Sequence, residues 1–227
     1  MGNGVIKMEQ LLTANVATNL YWLGRYLERT EETLYEINKA YDAIIDIDKD
    51  AGVKLYKKFN IDLEYTNASD FLDKAIRGVH DANIVNIITQ ARENTIICRT
   101  HIDFEAFGEI IELHTLLQRI SKSPLPIDYK DIDLILSLIS EIWGAHTKRG
   151  HRKSSDYFFK LGKLAEEVDL RLRFDRNKSV TEAIIKDINI ILNLLNPDAG
   201  LQLLSYDEED DIMESINTVM KKLIIED

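Results

Sequence analysis

The chain has 227 residues, 45% of them hydrophobic and 30% charged, the balance of a globular protein able to bury a sizeable core. A formal net charge of -11 argues against nucleic acid as a partner, and 10 Gly with 3 Pro are few turn residues for an all-β fold. Cys98 is the single cysteine, so no intramolecular disulfide forms, which fits a reducing, cytoplasmic setting.

Thr13 reads as the N-cap of a long helix from about residue 14 to the mid-40s, with Val16, Leu20, Leu23, Leu27, Leu34, Tyr41 and Ile45 on one apolar stripe. Short helices fit 53–59 and 70–78, the second capped within Asn67–Asp70. Ile84, Ile88, Ala91, Thr95, Cys98 and Ile102 predict a long helix over 82–101 that continues, after a bend, through 103–121. Pro124 and Pro126 end it. Helices then fit 129–147, 153–174, 179–195 and 208–224, with a turn at NPDAG, 196–200. No strand alternation appears, so the expected fold is an all-α, single multi-helix bundle without an interdomain linker.

No signal-peptide pattern opens the sequence. No apolar run is long enough to span a membrane, since IIKDINIILNLL is interrupted by Lys186, Asp187 and Asn189. DIDKDAG, 46–52, imitates the start of a calcium loop but has Ala51 where glycine is needed and Lys57 at the last ligand position. KRGHRK, 148–153, is a local basic run, and DEEDD, 207–211, suits a helix N-terminus. No phosphate-binding or dinucleotide fingerprint and no nucleophile elbow occurs, so no cofactor is expected. Cys98 lies in its apolar stripe and reads as buried and inert.

One internal echo stands out. YWLGRYLERTEET, 21–33, aligns with FKLGKLAEEVDLR, 159–171, at an offset of 138. Gly24 meets Gly162, Arg25 meets Lys163, Glu28 meets Glu166 and Glu31 meets Asp169. On a helical wheel Glu31 and Asp169 lie about 55–60° from their apolar stripes, with Glu28 and Glu166 further out at roughly 115–120°. Two matching acidic pairs therefore sit at matching depths, as in two halves of a pseudo-symmetric bundle.

Acids three apart share a helix face, and four converging carboxylates need a proton, a cation or arginines beside them. Three possibilities stand: a structural network with Arg and Lys, an oxygen-only Mg²⁺ or Mn²⁺ site without the Glu-x-x-His motifs of di-metal bundles, or a reacting site. In ARENTIICRTHIDFE, 91–105, Asn94, His101 and Glu105 share one flank if the helix is continuous. Arg92 and Arg99 share the other and can bring positive charge to the acids or bind an anion.

NLYWLGRYLERTEET, from Asn19, resembles the signature of the Alpha-E family, a bacterial all-helical domain. Asn19, Tyr21, Trp22, Arg25, Tyr26, Glu28, Arg29 and Glu31 fit its first motif. Ala91, Arg92, Glu93, Asn94, Arg99 and Glu105 fit a middle one, and Gly144, Arg152, Gly162, Glu166 and Asp169 a later one. The chain departs at Thr30, Glu32 and Ile96, and at Glu167, where the second block usually carries Arg. The resemblance implies proximity to circularly permuted ATP-grasp proteins and transglutaminase-like peptidases, hence a role with a separate ATP-grasp ligase in forming or modifying amide bonds. Under that expectation Glu28, Glu31, Glu166 and Asp169 are catalytic candidates, and Arg25, Arg29, Arg92, Arg99 and Arg152 hold a carboxylate or acyl phosphate. A non-catalytic helical scaffold and a carboxylate metal bundle are the alternatives.

Overall fold

The computed structural model describes residues 12–148, 153–197, 203–206 and 211–225. Every regular element among them is helical: α1 (Ala14–Asp46), α2 (Ala51–Lys57), α3 (Ala68–Arg77), α4 (Ile84–Ile97), α5 (Phe104–Lys122), α6 (Tyr129–Thr147), α7 (Ser154–Arg173), α8 (Lys178–Leu195) and α9 (Ile212–Ile225). The start signals act as expected. Thr13 Oγ1 accepts from the Val16 N–H at 3.3 Å and Asn67 Oδ1 from the Asp70 N–H at 3.0 Å, each satisfying a donor that lacks a helical partner. The Pro124–Pro126 segment separates α5 from α6. Arg152, residues 149–152 of the basic run, 198–200 of the turn and 207–210 of the acidic cluster lie outside the described residues.

Two expectations are corrected. The long helix predicted over 82–101 stops at Ile97. The His101 N–H turns back to the Cys98 carbonyl at 2.8 Å, and Asp103 starts a new helix by accepting from the Glu105 N–H at 2.9 Å. A side-chain cap competes here with another helical turn and wins, so Asn94, His101 and Glu105 do not share a continuous flank. Ile45 is 58% exposed, because the buried stripe of α1 ends through Ile37, Ala40 and Ile44.

α1 is the central element. It packs most extensively against α7 and next against α4, and also touches α2, α3, α6 and α9. α5 lies between α4 and α6, and α8 lies on α7. One continuous cluster of buried apolar side chains runs from Ala17 in α1 to Leu223 in α9. No described helix is long and apolar enough to cross a membrane.

α1 and α7 meet backbone to backbone at the two echoed glycines. A Cβ on Gly24 would strike the Phe159 carbonyl oxygen and lie 2.9 Å from the Lys163 nitrogen. A Cβ on Gly162 would strike the Tyr21 carbonyl oxygen and lie 3.1 Å from the Arg25 nitrogen. Only glycine permits this approach, and each glycine meets the other's flanking turn. Further along, Arg29 reaches Glu166, and Arg176 reaches Glu32 and Glu36. The contacts advance together along both helices, so α1 and α7 run parallel, related by a pseudo-two-fold.

Candidate functional site

The close crossing puts the residues that follow each glycine opposite the partner helix. Arg25 Nε donates to Glu166 Oε2 at 2.6 Å, and its counterpart Lys163 donates through Nζ to Glu28 Oε2 at 2.6 Å. The next acid is engaged more loosely in both halves: Arg25 Nη2 to Asp169 at 3.5 Å, Lys163 Nζ to Glu31 at 3.9 Å. Each basic residue thus crosses to the acidic pair of the other helix. Here the echo in the sequence is an echo in space.

Depth differs from the helical-wheel order. The Glu28 and Glu166 side chains are 4% and 0% exposed, those of Glu31 and Asp169 14% and 12%. The inner and outer acids are exchanged relative to expectation, although the two halves still match. α1 is covered on two sides, by the apolar packing of α4 and by α7. The α7 side is a glycine-and-charge seam that a single apolar stripe does not reveal.

The halves then diverge. Around Glu166 and Asp169, Arg29 Nε donates to Glu166 Oε1 at 2.5 Å and Arg173 Nε to Asp169 Oδ1 at 2.8 Å. Three arginines therefore serve two acids. Burial pulls the Arg25 guanidinium pKa down, but Glu166 and the other neighbouring negative groups hold it above its ordinary value. Arg25 also lies over the Trp22 ring, 5.0 Å from its centroid. Desolvation pushes the neighbouring Tyr21 hydroxyl upward.

Around Glu28 and Glu31 there is one ammonium among the described residues, that of Lys163. The position equivalent to Arg29 is Glu167, and the one equivalent to Arg173 is Tyr35. Glu31 Oε2 instead accepts from the Trp143 indole at 2.8 Å, and Lys163 Nζ sits 4.0 Å above the Trp143 ring centroid. The Glu28 carboxyl is pushed up to about 7, mainly by burial, with Lys163 opposing and Glu31 and Glu167 adding to the rise. Glu167 is itself raised, again chiefly by burial.

Lys163 also lines a cavity of about 190 Å³ between the end of α6 and the first turns of α7, with Trp143, His146, Thr147, Asp156, Tyr157 and Lys160. Phe159 braces one side, its ring 5.1 Å from Trp143 and 4.6 Å from His146. Lys163 was foreseeable from its alignment with Arg25. Trp143 and Lys160 carried no signal in the sequence, because their meeting depends on how α6 returns to α7.

The structure gathers Glu28, Glu31, Glu166 and Asp169 with Arg25 and Arg29. It does not gather Arg92 and Arg99 with them. Arg92 pairs with its neighbour Glu93 at 2.5 Å, and Arg99 is exposed in the turn after α4. Arg152 lies outside the described residues. Arg25 and Arg29, expected to hold substrate, each pair with the α7 carboxylates Glu166 and Asp169. Guanidinium and ammonium groups supply the positive charge that these carboxylates require. Among the described residues no group of three or more His, Cys, Asp and Glu is placed to hold a metal ion. Cys98 is buried, its Sγ 3.6 Å from the Val16 carbonyl and its pKa pushed up to about 12 by desolvation, which makes it a poor nucleophile.

Fold and site together define an all-helical protein whose central parallel helices are joined by a reciprocal, buried acid–base clasp. The Glu28–Arg29 dipeptide is its hinge point: Glu28 meets Lys163 while Arg29 meets Glu166. The chain belongs to the Alpha-E family, described as a predicted alpha-helical domain with a conserved ER motif, whose model matches residues 12–202. No curated protein and no solved structure matches the chain.

Proposed function

We propose that the chain acts with a separate ATP-grasp-type ligase in forming or modifying peptide or amide bonds, with Glu28 as the proton acceptor. A transglutaminase-like protein is a further partner in the same system. The observation that supports this is the state of Glu28: buried, facing one ammonium and two further acids, and raised to about 7. When an amine attacks an acyl phosphate, the C–N bond forms, phosphate leaves and the nitrogen sheds a proton. A carboxylate poised near neutrality suits that proton better than an ordinary glutamate, since general-base efficiency peaks when the pKa lies near the working pH. Lys163 lies between Glu28 and the cavity and supplies the path. Glu31 fixes Trp143, while Glu166 and Asp169, held by three arginines, position the helices and do not react.

The test is reconstitution with an ATP-grasp protein from the same genome, following amide product by mass spectrometry. ATP-dependent product should require the chain and fall about 100-fold or more with Glu28→Gln, the melting temperature staying within a few degrees. Undiminished product with Glu28→Gln would remove the catalytic role, and product without the chain would remove the partnership. A purely structural part is favoured by one observation, the full commitment of Arg25 and Arg29 to Glu166 and Asp169. In that case Glu31→Gln lowers the melting temperature by weakening the charge-assisted bond from Trp143 and the contact with Lys163, and leaves ligation intact.

A further inference from the structure

We infer that the cavity between α6 and α7 is a binding site for a small oxyanion, a carboxylate or a phosphate, held by Lys160 against the Trp143 and Tyr157 walls. Lys160 and Lys163 are one helical turn apart on α7 and both face the cavity. Lys163 is committed to Glu28 and to the Trp143 ring. Lys160 has no hydrogen bond or ion pair among the described residues, in a chain carrying eleven more acids than bases. The one acid in the lining, Asp156, accepts the Lys153 backbone N–H at 2.9 Å and so closes the start of α7. A half-buried ammonium at a cavity wall, with no ion pair among the described residues, is a ready partner for a ligand anion, and a charge-assisted bond there is among the stronger polar contacts.

Size and charge narrow the ligand. About 190 Å³ admits a group of several non-hydrogen atoms, and the net charge of -11 repels extended polyanions. The walls are rigid, because Phe159 packs on both Trp143 and His146 and the Trp143 indole is tied to Glu31. A ligand held on Lys160 lies next to Lys163 and hence to Glu28. If the amide-forming role holds, the oxyanion site deepens it by naming the substrate class, an acid or its phosphoryl derivative. Binding itself is measured on the chain alone, so it stands or falls separately from the ligase partnership.

Trp143 reports occupancy. In a Trp22→Phe background it is the single tryptophan, and its fluorescence can be followed during titration with succinate in one series and inorganic phosphate in another. A saturable change is expected in at least one series, and which one responds identifies the anion class. Lys160→Met should weaken it about tenfold or more, Lys160→Arg should retain it, and Lys186→Met on the exposed face of α8 should leave it unchanged. Circular dichroism verifies the fold of each variant. A flat response in both series would overturn the site, as would a response equally strong in folded Lys160→Met. If Lys160→Met does not fold, Lys160→Gln takes its place: a weakened response with the fold intact assigns the site to Lys160, and a response as strong as in the parent overturns it.

Discussion

Glu28 and Glu166 are the same amino acid at equivalent points of a pseudo-two-fold, and both are buried, yet they keep different company. Glu166 accepts from two arginines. Removing it leaves Arg25 in the interior with the 3.5 Å contact to Asp169 as its remaining ion pair among the described residues. Glu166→Ala should therefore cost about 3–5 kcal/mol, the usual penalty for leaving half of a buried pair, read as a drop in the denaturant midpoint. Glu28 makes stability depend on pH. Its carboxyl ordinarily titrates at 4.5 and here near 7, so between those values the folded chain holds more of a proton than the unfolded one. The stability this group contributes is fully present below about pH 4.5 and is lost as pH rises through 7. The difference corresponds to about 3 kcal/mol. Glu28→Gln should flatten that part of the profile, shifting the comparison with wild type in the variant's favour between pH 5 and pH 8. A difference that stays constant across the range would mean that Glu28 ionises as an ordinary glutamate.

At the scale of the helices, the glycines decide whether the clasp can form. Gly162→Ala would gain about 1 kcal/mol of helix propensity in an isolated helix. In this crossing its Cβ meets the Tyr21 carbonyl oxygen, and backbone cannot yield as a flexible side chain can. A net loss of about 1–3 kcal/mol is expected from the overpacking, with a lower thermal midpoint as the readout. The departure at Glu167 is testable in the same way. Glu167→Arg restores the counterpart of Arg29 and gives Glu28 a second cation. It should stabilise the chain at pH 8 by roughly 1 kcal/mol and leave it nearly unchanged at pH 5. Spacing alone was enough to read most of the helices, the caps at Thr13 and Asn67, and the paired glycines. It did not reveal the order of burial, because a wheel centred on Leu20, Leu23 and Leu27 describes the apolar side of α1 and misses a second covered side made of Gly24, Arg25 and Glu28. Nor did it show the stop after Ile97, where Asp103 caps a new helix inside an otherwise continuous apolar pattern.

Across the whole molecule, one cluster of buried side chains links α1 to α9, so heat or denaturant should unfold the chain in a single transition, with far-ultraviolet dichroism and Trp143 fluorescence coinciding. Two separated transitions would divide it into independent units. The cavity belongs to this scale, since Trp143 and Lys160 come from different helices and meet only after α6 and α7 both pack on α1. That is why no local pattern announced them. Three arginines hold the acids of α7, one lysine and one indole hold those of α1, and the cavity opens beside the second set. The measurement that bears most directly on this asymmetry is the titration of the Glu28 side-chain carboxyl, followed by carbon-13 NMR with Glu28→Gln to assign its resonance. A midpoint near 7 is predicted, and a midpoint near the ordinary 4.5 would contradict the account.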